Sequence, residues 1–250
     1  MDPSHIEAAP ISDDTLEGYD IIGDVHGQLV KLTALLEQLG YRAVDGVWQH
    51  PHRKVIFIGD LIDRGRKQVA VVRLVQRMIA AGQAHIVMGN HEYNAIAWVT
   101  IDPETSKPCR PHTPEKRHGH RKFLRQVGEG STLHHELVDW FRTLPLWLTV
   151  THRGNTLRVV HACWHEASMR NLAPYLTAAR TLTPEGLITT SRKPSQANEA
   201  LEAYEALETV LKGPEVHLGG RGYLDKDGTP RGKLAAAGGT PMPPHSTASP

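Results

Sequence analysis

The pattern of apolar and polar residues along the first half of the chain predicts strands and helices in regular alternation. Three short apolar runs are typical of buried strands: residues 19–22, 54–58 and 85–88. A segment with helical spacing follows each run: residues 28–39, 67–81 and 92–98. We therefore predict an α/β sheet with a site at the carboxyl ends of its strands.

The pattern changes after residue 100. Residues 101–121 are polar and rich in Pro, His and basic side chains, so we expect a loop or lid there. Beyond this segment, helical spacing returns with Ser131 as a potential N-cap, and it predicts helices over 131–144, 166–180 and 197–211. Two apolar runs, 146–150 and 156–160, predict a pair of strands around a turn.

The length of 250 residues fits one main domain, which we expect over residues 19–231. Residues 1–18 lack a periodic apolar pattern, and we expect a flexible leader there. Residues 232–250 are rich in Ala, Gly, Pro and Ser, and we expect a disordered tail.

Composition narrows the classes of function. The net charge of +1 neither requires nor excludes a nucleic-acid partner. The two cysteines, Cys109 and Cys163, are too few for a disulfide framework. No apolar signal or membrane-length run is visible, so we expect a cytoplasmic protein without a membrane partner. The 16 histidines raise the question of a metal site, although most of them are expected on the surface.

Polar strings follow the predicted strands, and together they suggest such a site. They read GDVHG at 23–27, GDLIDRG at 59–65 and GNHE at 89–92, and a later strand ends in VVHA at 159–162. Asp24 and His26 are two residues apart and therefore point to the same side. Mixed carboxylate, amide and imidazole ligands suit Mn²⁺, Fe or Zn²⁺. Two such ions about 3.5–4 Å apart would promote hydrolysis of a phosphate ester.

Each string also has an ordinary structural interpretation. The glycine-flanked Asp-x-His at 24–26 fits a tight turn, Asn90 fits a helix cap, and His161 fits a core histidine. The metal interpretation rests on the whole set, because all of them occur in order at predicted strand ends.

The three strings resemble the signatures Gly-Asp-x-His-Gly, Gly-Asp-x-x-Asp-Arg-Gly and Gly-Asn-His-Glu of calcineurin-like metallophosphoesterases. Within that family the chain is similar to the phosphoprotein phosphatase group, which includes Ser/Thr protein phosphatases and bacterial diadenosine tetraphosphatases. The resemblance covers about residues 19–165. It implies a β-sandwich flanked by helices and two bound divalent ions, with Mn²⁺ expected first and Fe or Zn²⁺ as alternatives.

The resemblance also implies a role for each matching residue. Asp24 and His26 would bind the first metal, Asp60 would bridge, and Asn90 and His161 would bind the second. A hydroxide that bridges the metals would be the nucleophile. His91 would be the general acid, and Asp63 would orient it. Arg64 would bind the phosphoryl oxygens. Neither cysteine needs a role.

The chain departs from the family pattern at one point. The family supplies one more histidine to the second metal from a late strand, and its counterpart is not evident here. His217 and His245 are weak candidates, and Arg221 is either a second phosphate-binding arginine or a turn residue. We therefore expect the chain to end before that strand or to be altered there, with weak binding of the second metal.

The resemblance leaves three functions open. The first is a phosphomonoesterase of the Ser/Thr protein phosphatase type, favoured by the Asp-Arg-Gly string and Glu92. The second is a nucleotide phosphoesterase that acts on diadenosine polyphosphates or polynucleotide ends. Basic residues between 107 and 122 suit a polyanionic substrate, but they equally suit a solvated loop. The third is a catalytically weak binding module, which only the missing histidine supports.

Overall fold

The computed structural model describes residues 10–192, 199–217, 223–224, 230–231 and 233–235. The strands in these ranges are β1 Ile11–Ser12, β2 Gly18–Ile22, β3 Arg42–Val44, β4 Val47–Gln49, β5 Arg53–Phe57, β6 Ala84–Ile86, β7 Ile101–Asp102, β8 Lys107–Pro108, β9 Trp147–His152, β10 Asn155–Val160, β11 Glu215–His217, β12 Tyr223–Leu224, β13 Pro230–Arg231 and β14 Lys233–Ala235. The α-helices are α1 Leu29–Gln38, α2 Gln68–Ala80, α3 Asn90–Val99, α4 Pro114–Val127, α5 Thr132–Arg142, α6 Glu166–Leu172, α7 Pro184–Ser191 and α8 Glu199–Lys212.

Two three-stranded sheets organise the molecule. The first has the order β2-β5-β6 and is parallel throughout, so the carboxyl ends of its strands meet at one edge. In the second sheet, β9 pairs in parallel with β1 and antiparallel with β10. Shorter two-stranded ribbons pair β3 with β4, β7 with β8, β11 with β14, and β12 with β13.

The second half of β5, the central strand of the first sheet, is buried on both faces, as its apolar sequence requires. Val55 and Phe57 belong to the large core that also contains buried residues of α1, α2, α3 and α5. Ile56 points the other way and packs with Leu148 and Val159 of the second sheet. Complete burial of each such side chain contributes roughly 1.5–3 kcal/mol. The result is a mixed α/β fold in which two sheets face each other and helices cover the first sheet, as the resemblance implied.

Most of the predicted elements are confirmed to within a few residues. The three strand–helix units appear as β2–α1, β5–α2 and β6–α3. The predicted strand pair is β9–β10, and the helix with Ser131 as N-cap is α5, in which Ser131 Oγ accepts a hydrogen bond from the His134 N–H at 3.1 Å. Among the described residues, no helix combines the length and apolarity needed to cross a membrane.

The prediction of a loop or lid over 101–121 is wrong. The segment begins with the β7–β8 ribbon, and its second part is the start of the 14-residue helix α4. The signals for this helix are present in the sequence. Thr113 caps it by accepting a hydrogen bond from the Lys116 N–H, and Pro114 occupies its first position.

The helix predicted over 166–180 is also too long. Helix α6 ends at Leu172, and a 3-10 turn at Ala173–Tyr175 follows because Pro174 cannot continue an α-helical hydrogen-bond pattern. Helix α7 was not predicted. Thr183 caps this helix, and Pro184 begins it, which repeats the arrangement at the start of α4.

The flexible leader expected over residues 1–18 is wrong for its described part. Residues 11 and 12 form β1, which pairs with Val150 and Thr151 of β9. The carboxylate of Asp13 forms an ion pair with Lys54 Nζ at 2.9 Å, and the Asp14 side chain accepts a hydrogen bond from the Arg153 N–H. The tail expected over 232–250 lies outside the described residues except for β14.

Candidate metal centre

The polar strings meet at the carboxyl edge of the first sheet. Asp24 and His26 follow β2, Asp60 follows β5, and Asn90 begins α3 just after β6. His161 directly follows β10 and reaches the same place from the second sheet. The structure thus brings together all five residues that the sequence suggested as metal ligands.

The imidazole of His26 has the orientation of a metal ligand. Its Nδ1–H donates a hydrogen bond to the Ile62 carbonyl at 2.7 Å, which leaves Nε2 as the basic nitrogen. Nε2 is buried and has no hydrogen-bond partner among the described residues. A buried lone pair without a donor is unfavourable in the protein alone, and a cation would satisfy it.

His161 shows the same arrangement. Its Nδ1–H donates to the Ile58 carbonyl at 2.5 Å, and its Nε2 lies 3.2 Å from Oδ1 of Asn90. Both histidines therefore donate from Nδ1 to a backbone carbonyl of the segment that follows β5. Both consequently turn Nε2 toward the same cluster of oxygens.

The Asp60 carboxylate lies between these two histidines. Its Oδ1 is 3.6 Å from His161 Nε2, and its Oδ2 is 3.7 Å from His26 Nε2. Oδ1 also accepts a hydrogen bond from the His91 N–H at 3.0 Å, which fixes the plane of the carboxylate. With one oxygen on each side, the buried Asp60 has the geometry of a bridging ligand.

Ligand atoms in the cluster fall into two overlapping groups. Asp60 and His26 group with His91, and Asp60 and His161 group with Asp24. Asp24 also lies beside His26, with 3.6 Å between Asp24 Oδ2 and His26 Nε2, so the expectation that these two residues bind one metal stays a prediction. The donor set of carboxylates, an amide and imidazoles is of the kind that binds divalent metal ions.

The turns that carry these ligands have unusual backbone conformations. Four non-glycine residues of the cluster have positive φ: His26 (44°), Asp60 (54°), Asp63 (64°) and Arg64 (61°). Such conformations cost on the order of 1–3 kcal/mol each and persist only when the surroundings enforce them. Their concentration here is typical of a functional site.

The side chain of Glu92 enforces one of these turns. Its buried carboxylate accepts hydrogen bonds from the N–H groups of Asp60 and Leu61, both at 2.8 Å, and from the Gly89 N–H at 3.1 Å. Gly89 is needed because a Cβ there would lie 2.4 Å from the backbone nitrogen of Asp60. Glu92 therefore has a structural role that the sequence analysis, which used it only as a subgroup marker, did not recognise.

Asp63 connects His91 to a second histidine. The Nδ1–H of His91 donates to Asp63 Oδ2 at 2.6 Å, and the Nδ1–H of His120 donates to Asp63 Oδ1 at 2.9 Å. Although burial alone would raise the pKa of Asp63, these two hydrogen bonds lower it to about 2. Burial alone would lower the pKa of His91, but the hydrogen bond to Asp63 and the charge of Asp60 raise it. His91 is thereby favoured in its protonated form.

Helix α4 supports this part of the site through three side chains. His120 bonds Asp63, Lys122 Nζ donates to the Arg64 carbonyl at 2.6 Å, and Gln126 Oε1 accepts from the Gln68 N–H at 2.8 Å. The guanidinium of Arg64 is exposed and makes no hydrogen bond or ion pair within the described residues. The helix thus holds the backbone of the turn and leaves this cation accessible.

His120 is a residue of the site that sequence reasoning missed. It lies in the segment interpreted as a loop, within residues 115–122, of which all except Gly119 are polar. The usable signal was its spacing, since His120, Phe123 and Val127 occupy one buried face of α4.

Several expected residues cannot be located at the site. The backbone of His217 lies in β11, and its side-chain contacts lie outside what the structure describes. His245 and Arg221 lie outside the described residues. Cys109 and Cys163 are free thiols.

Comparison with protein families gives the site its context. The model of the calcineurin-like phosphoesterases matches residues 19–217, which is most of the chain. The chain belongs to the calcineurin-like phosphoesterases. Members of this family use divalent metals, in agreement with the donor set around Asp60.

Individual relatives of this phosphoesterase are bacterial nucleotide hydrolases by name. It is 31% identical over 130 residues to the asymmetrical bis(5'-nucleosyl)-tetraphosphatase PrpE of Oceanobacillus iheyensis. This match covers 52% of this chain and 50% of the relative. It is 45% identical over 74 residues to the PrpE protein of Bacillus subtilis, 29% of this chain and 30% of the relative. The matched segments therefore span half or less of these relatives.

Solved structures resemble the phosphoesterase more distantly. A metallophosphoesterase from Sphaerobacter thermophilus is 25% identical with a TM-score of 0.33, and the match covers 52% of this chain and 42% of that one. A cold-active protein-tyrosine phosphatase of a psychrophilic Shewanella is 18% identical with a TM-score of 0.47 and coverage of 84% and 59%.

Proposed function

We propose that this chain hydrolyses phosphate esters or anhydrides at a centre of two divalent metal ions, with Mn²⁺ as the first candidate. The observation that carries the proposal is the arrangement around Asp60. The Nε2 atoms of His26 and His161 face opposite oxygens of this carboxylate, and both imidazoles are fixed through Nδ1. Asp24 and Asn90 complete the donor set. When bound, the ions would activate water and neutralise the charge of the phosphate.

The residues around the centre would position and protonate the substrate. His91 would donate a proton to the leaving oxygen, because Asp63 raises its pKa and directs its Nε2 toward Asp60. His120 would hold Asp63 in place. The exposed guanidinium of Arg64 would bind phosphoryl oxygens with its planar fork of donors.

Nucleotide polyphosphates are the substrates that the comparisons favour over phosphoproteins. The relatives from Oceanobacillus iheyensis and Bacillus subtilis carry the name of asymmetrical bis(5'-nucleosyl)-tetraphosphatases. An enzyme of that name divides diadenosine tetraphosphate into unequal nucleotides. We therefore propose diadenosine tetraphosphate or a similar dinucleoside polyphosphate as the substrate class.

The proposal is tested by product analysis. Metal-free protein is supplied with Mn²⁺ and incubated in parallel with diadenosine tetraphosphate and with a phosphoserine peptide. We expect ATP and AMP from the first substrate and much slower release of phosphate from the second. Efficient release of phosphate from the peptide, with the tetraphosphate left intact, would favour the protein phosphatase alternative.

A variant of the proposed general acid gives a second check. His91→Asn removes the ionisable group, and we expect the kcat for the tetraphosphate to fall about 10²–10⁴-fold. Binding of Mn²⁺ in the same variant, measured by calorimetry, is the control for an intact centre. An unchanged kcat would exclude His91 as the proton donor.

A further inference from the structure

A polar pocket of about 270 Å³ lies beside the candidate metal centre, between α3, α7, α8 and the segment that leads from β8 into α4. Asn94 lines it and lies four residues after Asn90 on α3, about one turn or about 6 Å along the helix axis. The other lining residues of interest are Arg110, Lys116, Glu208 and Lys212. The pocket is therefore close to the proposed ligands without containing any of them.

The pocket carries more positive charge than it can compensate. Three cations line it, and Glu208 is the one described carboxylate among the lining residues. Glu208 is already paired, since its Oε2 lies 2.6 Å from Lys212 Nζ. Within the described part of the chain, neither Arg110 nor Lys116 forms an ion pair. Neither cation is therefore neutralised by a direct ion pair, although the charges of Glu115 and Glu208 act on both of them at longer range.

The guanidinium of Arg110 is only partly satisfied. Its Nη1 donates a hydrogen bond to Asn94 Oδ1, while its Nε is buried and has no hydrogen-bond partner among the described residues. An arginine that serves packing alone would normally have its buried donors paired with a carboxylate or with backbone carbonyls. The unpaired donor instead leaves a place for an anionic acceptor.

The charges of the pocket also destabilise one another. Burial lowers the pKa of Lys116, and the neighbouring charges of Arg110 and Lys212 lower it further. Burial likewise lowers the pKa of Arg110, against the opposing charge of Asp63. This last interaction also means that the Arg110 guanidinium is within electrostatic reach of the Asp63–His91 pair. An anion in the pocket would relieve the repulsion, and it would lie near the reacting groups.

We propose that this pocket, through Arg110 and Lys116, binds the phosphates of a nucleotide polyphosphate that lie beyond the bond being hydrolysed. The proposal rests on the proposed function, because it presumes that one phosphate lies at the metal centre. A tetraphosphate chain has further phosphates in series, so it can occupy both places at once. A substrate with a single phosphate cannot, and the pocket therefore provides selectivity for polyphosphates.

Binding to the pocket is measured first without catalysis. Inorganic tripolyphosphate is titrated by calorimetry into protein kept metal-free with a chelator, so that the metal centre does not compete. We expect binding by the wild type, about tenfold weaker binding by Lys116→Met, and wild-type affinity for Lys31→Met. Lys31 is exposed on α1, which does not line the pocket, so its variant removes the same charge elsewhere. Absence of binding by the wild type, or equal weakening in both variants, would overturn the proposal.

Selectivity is then measured with the Mn²⁺-loaded enzyme. The ratio of kcat/KM for diadenosine tetraphosphate to that for p-nitrophenyl phosphate should fall about tenfold in Lys116→Met and further in Arg110→Met. Lys31→Met should keep the wild-type ratio. A ratio unchanged in Lys116→Met would contradict the proposal. If the wild type hydrolyses neither compound, the proposed function fails, and the tripolyphosphate titration still decides whether the pocket binds phosphates.

Discussion

At the scale of single residues, His120 shows how the site extends beyond its recognisable strings. Its Nδ1–H holds one oxygen of Asp63 while His91 holds the other, so both oxygens of this buried carboxylate are fixed. A carboxylate held on both sides cannot rotate away from His91. We therefore regard His120 as a positioning residue, since it acts on His91 through Asp63.

Replacement of His120 tests this role. In His120→Ala, Asp63 is free to rotate, and we expect kcat to fall about tenfold, equivalent to about 1.4 kcal/mol, with KM within twofold of wild type. His120→Asn keeps a donor near the position of Nδ1 and should recover most of the loss. If both variants lose stability equally but retain wild-type kcat below their melting temperatures, the role of His120 is in packing alone.

The pKa of Asp63 predicts how stability changes in acid. Asp63 has a pKa of about 2 in the folded protein against an ordinary value of 3.8, so the unfolded chain takes up the proton first as the pH falls. This stabilisation is complete above about pH 4 and is lost as the pH falls toward 2, with a magnitude of about 2 kcal/mol. Urea unfolding of metal-free wild type and Asp63→Asn across this range measures it. Parallel pH dependence in the two proteins would contradict the assignment.

At the scale of elements, the strands and helices of the first sheet could be predicted because their apolar spacing is regular. Helix α4 could not be predicted from that signal alone, because its mean composition is strongly polar and only one narrow face is buried. Its cap was the better indicator, since Thr113 and Pro114 form a typical helix start. The same Thr-Pro pair at 183–184 begins α7, which was missed for the same reason.

Gly119 offers a test of α4 as a regular, exposed helix. A Cβ added at Gly119 meets nothing within 4 Å, so Gly119→Ala should stabilise the protein by about 0.5–1 kcal/mol and raise the Tm by roughly 1–3 °C. Gly82→Ala is the matched control, because it also has open space but a φ of +67°. That substitution should destabilise the protein by about 1 kcal/mol. A lower Tm in Gly119→Ala would argue against a helix at this position.

At the scale of the whole molecule, the candidate metal centre draws its residues from both sheets. His26, Asp60 and Asn90 follow strands of the first sheet, whereas His161 follows β10 of the second. Sequence order could suggest these ligands, but it could not show that His161 would reach Asp60 from another sheet. Sequence order also could not show the pocket beside α3. Residues more than 100 positions apart, such as Asn94 and Glu208, line that pocket together.

Metal binding should consequently stabilise the whole fold. At a Mn²⁺ concentration 100 times its Kd, the wild type should gain about 2.7 kcal/mol, measured as a rise in Tm. His161→Ala should lose much of this gain, because it removes the ligand that belongs to the second sheet. Exposed Lys31 again provides the control, and Lys31→Met should keep the full shift. An equal Mn²⁺ shift in His161→Ala would mean that His161 is not a ligand.

The proposal of a metal-dependent phosphoesterase centre built on Asp60 is tested most directly by one titration that measures turnover and bound metal together. Metal-free wild type and Asp60→Asn are titrated with Mn²⁺, and hydrolysis of diadenosine tetraphosphate is followed together with bound metal per chain. Asn at position 60 keeps an oxygen that can accept the His91 N–H but removes the bridging charge. We expect wild-type turnover to rise as the chain approaches two bound ions, and Asp60→Asn to lose both the second ion and nearly all turnover. Turnover that is independent of metal, or equal in the two folded proteins, would contradict a phosphoesterase centre built on Asp60.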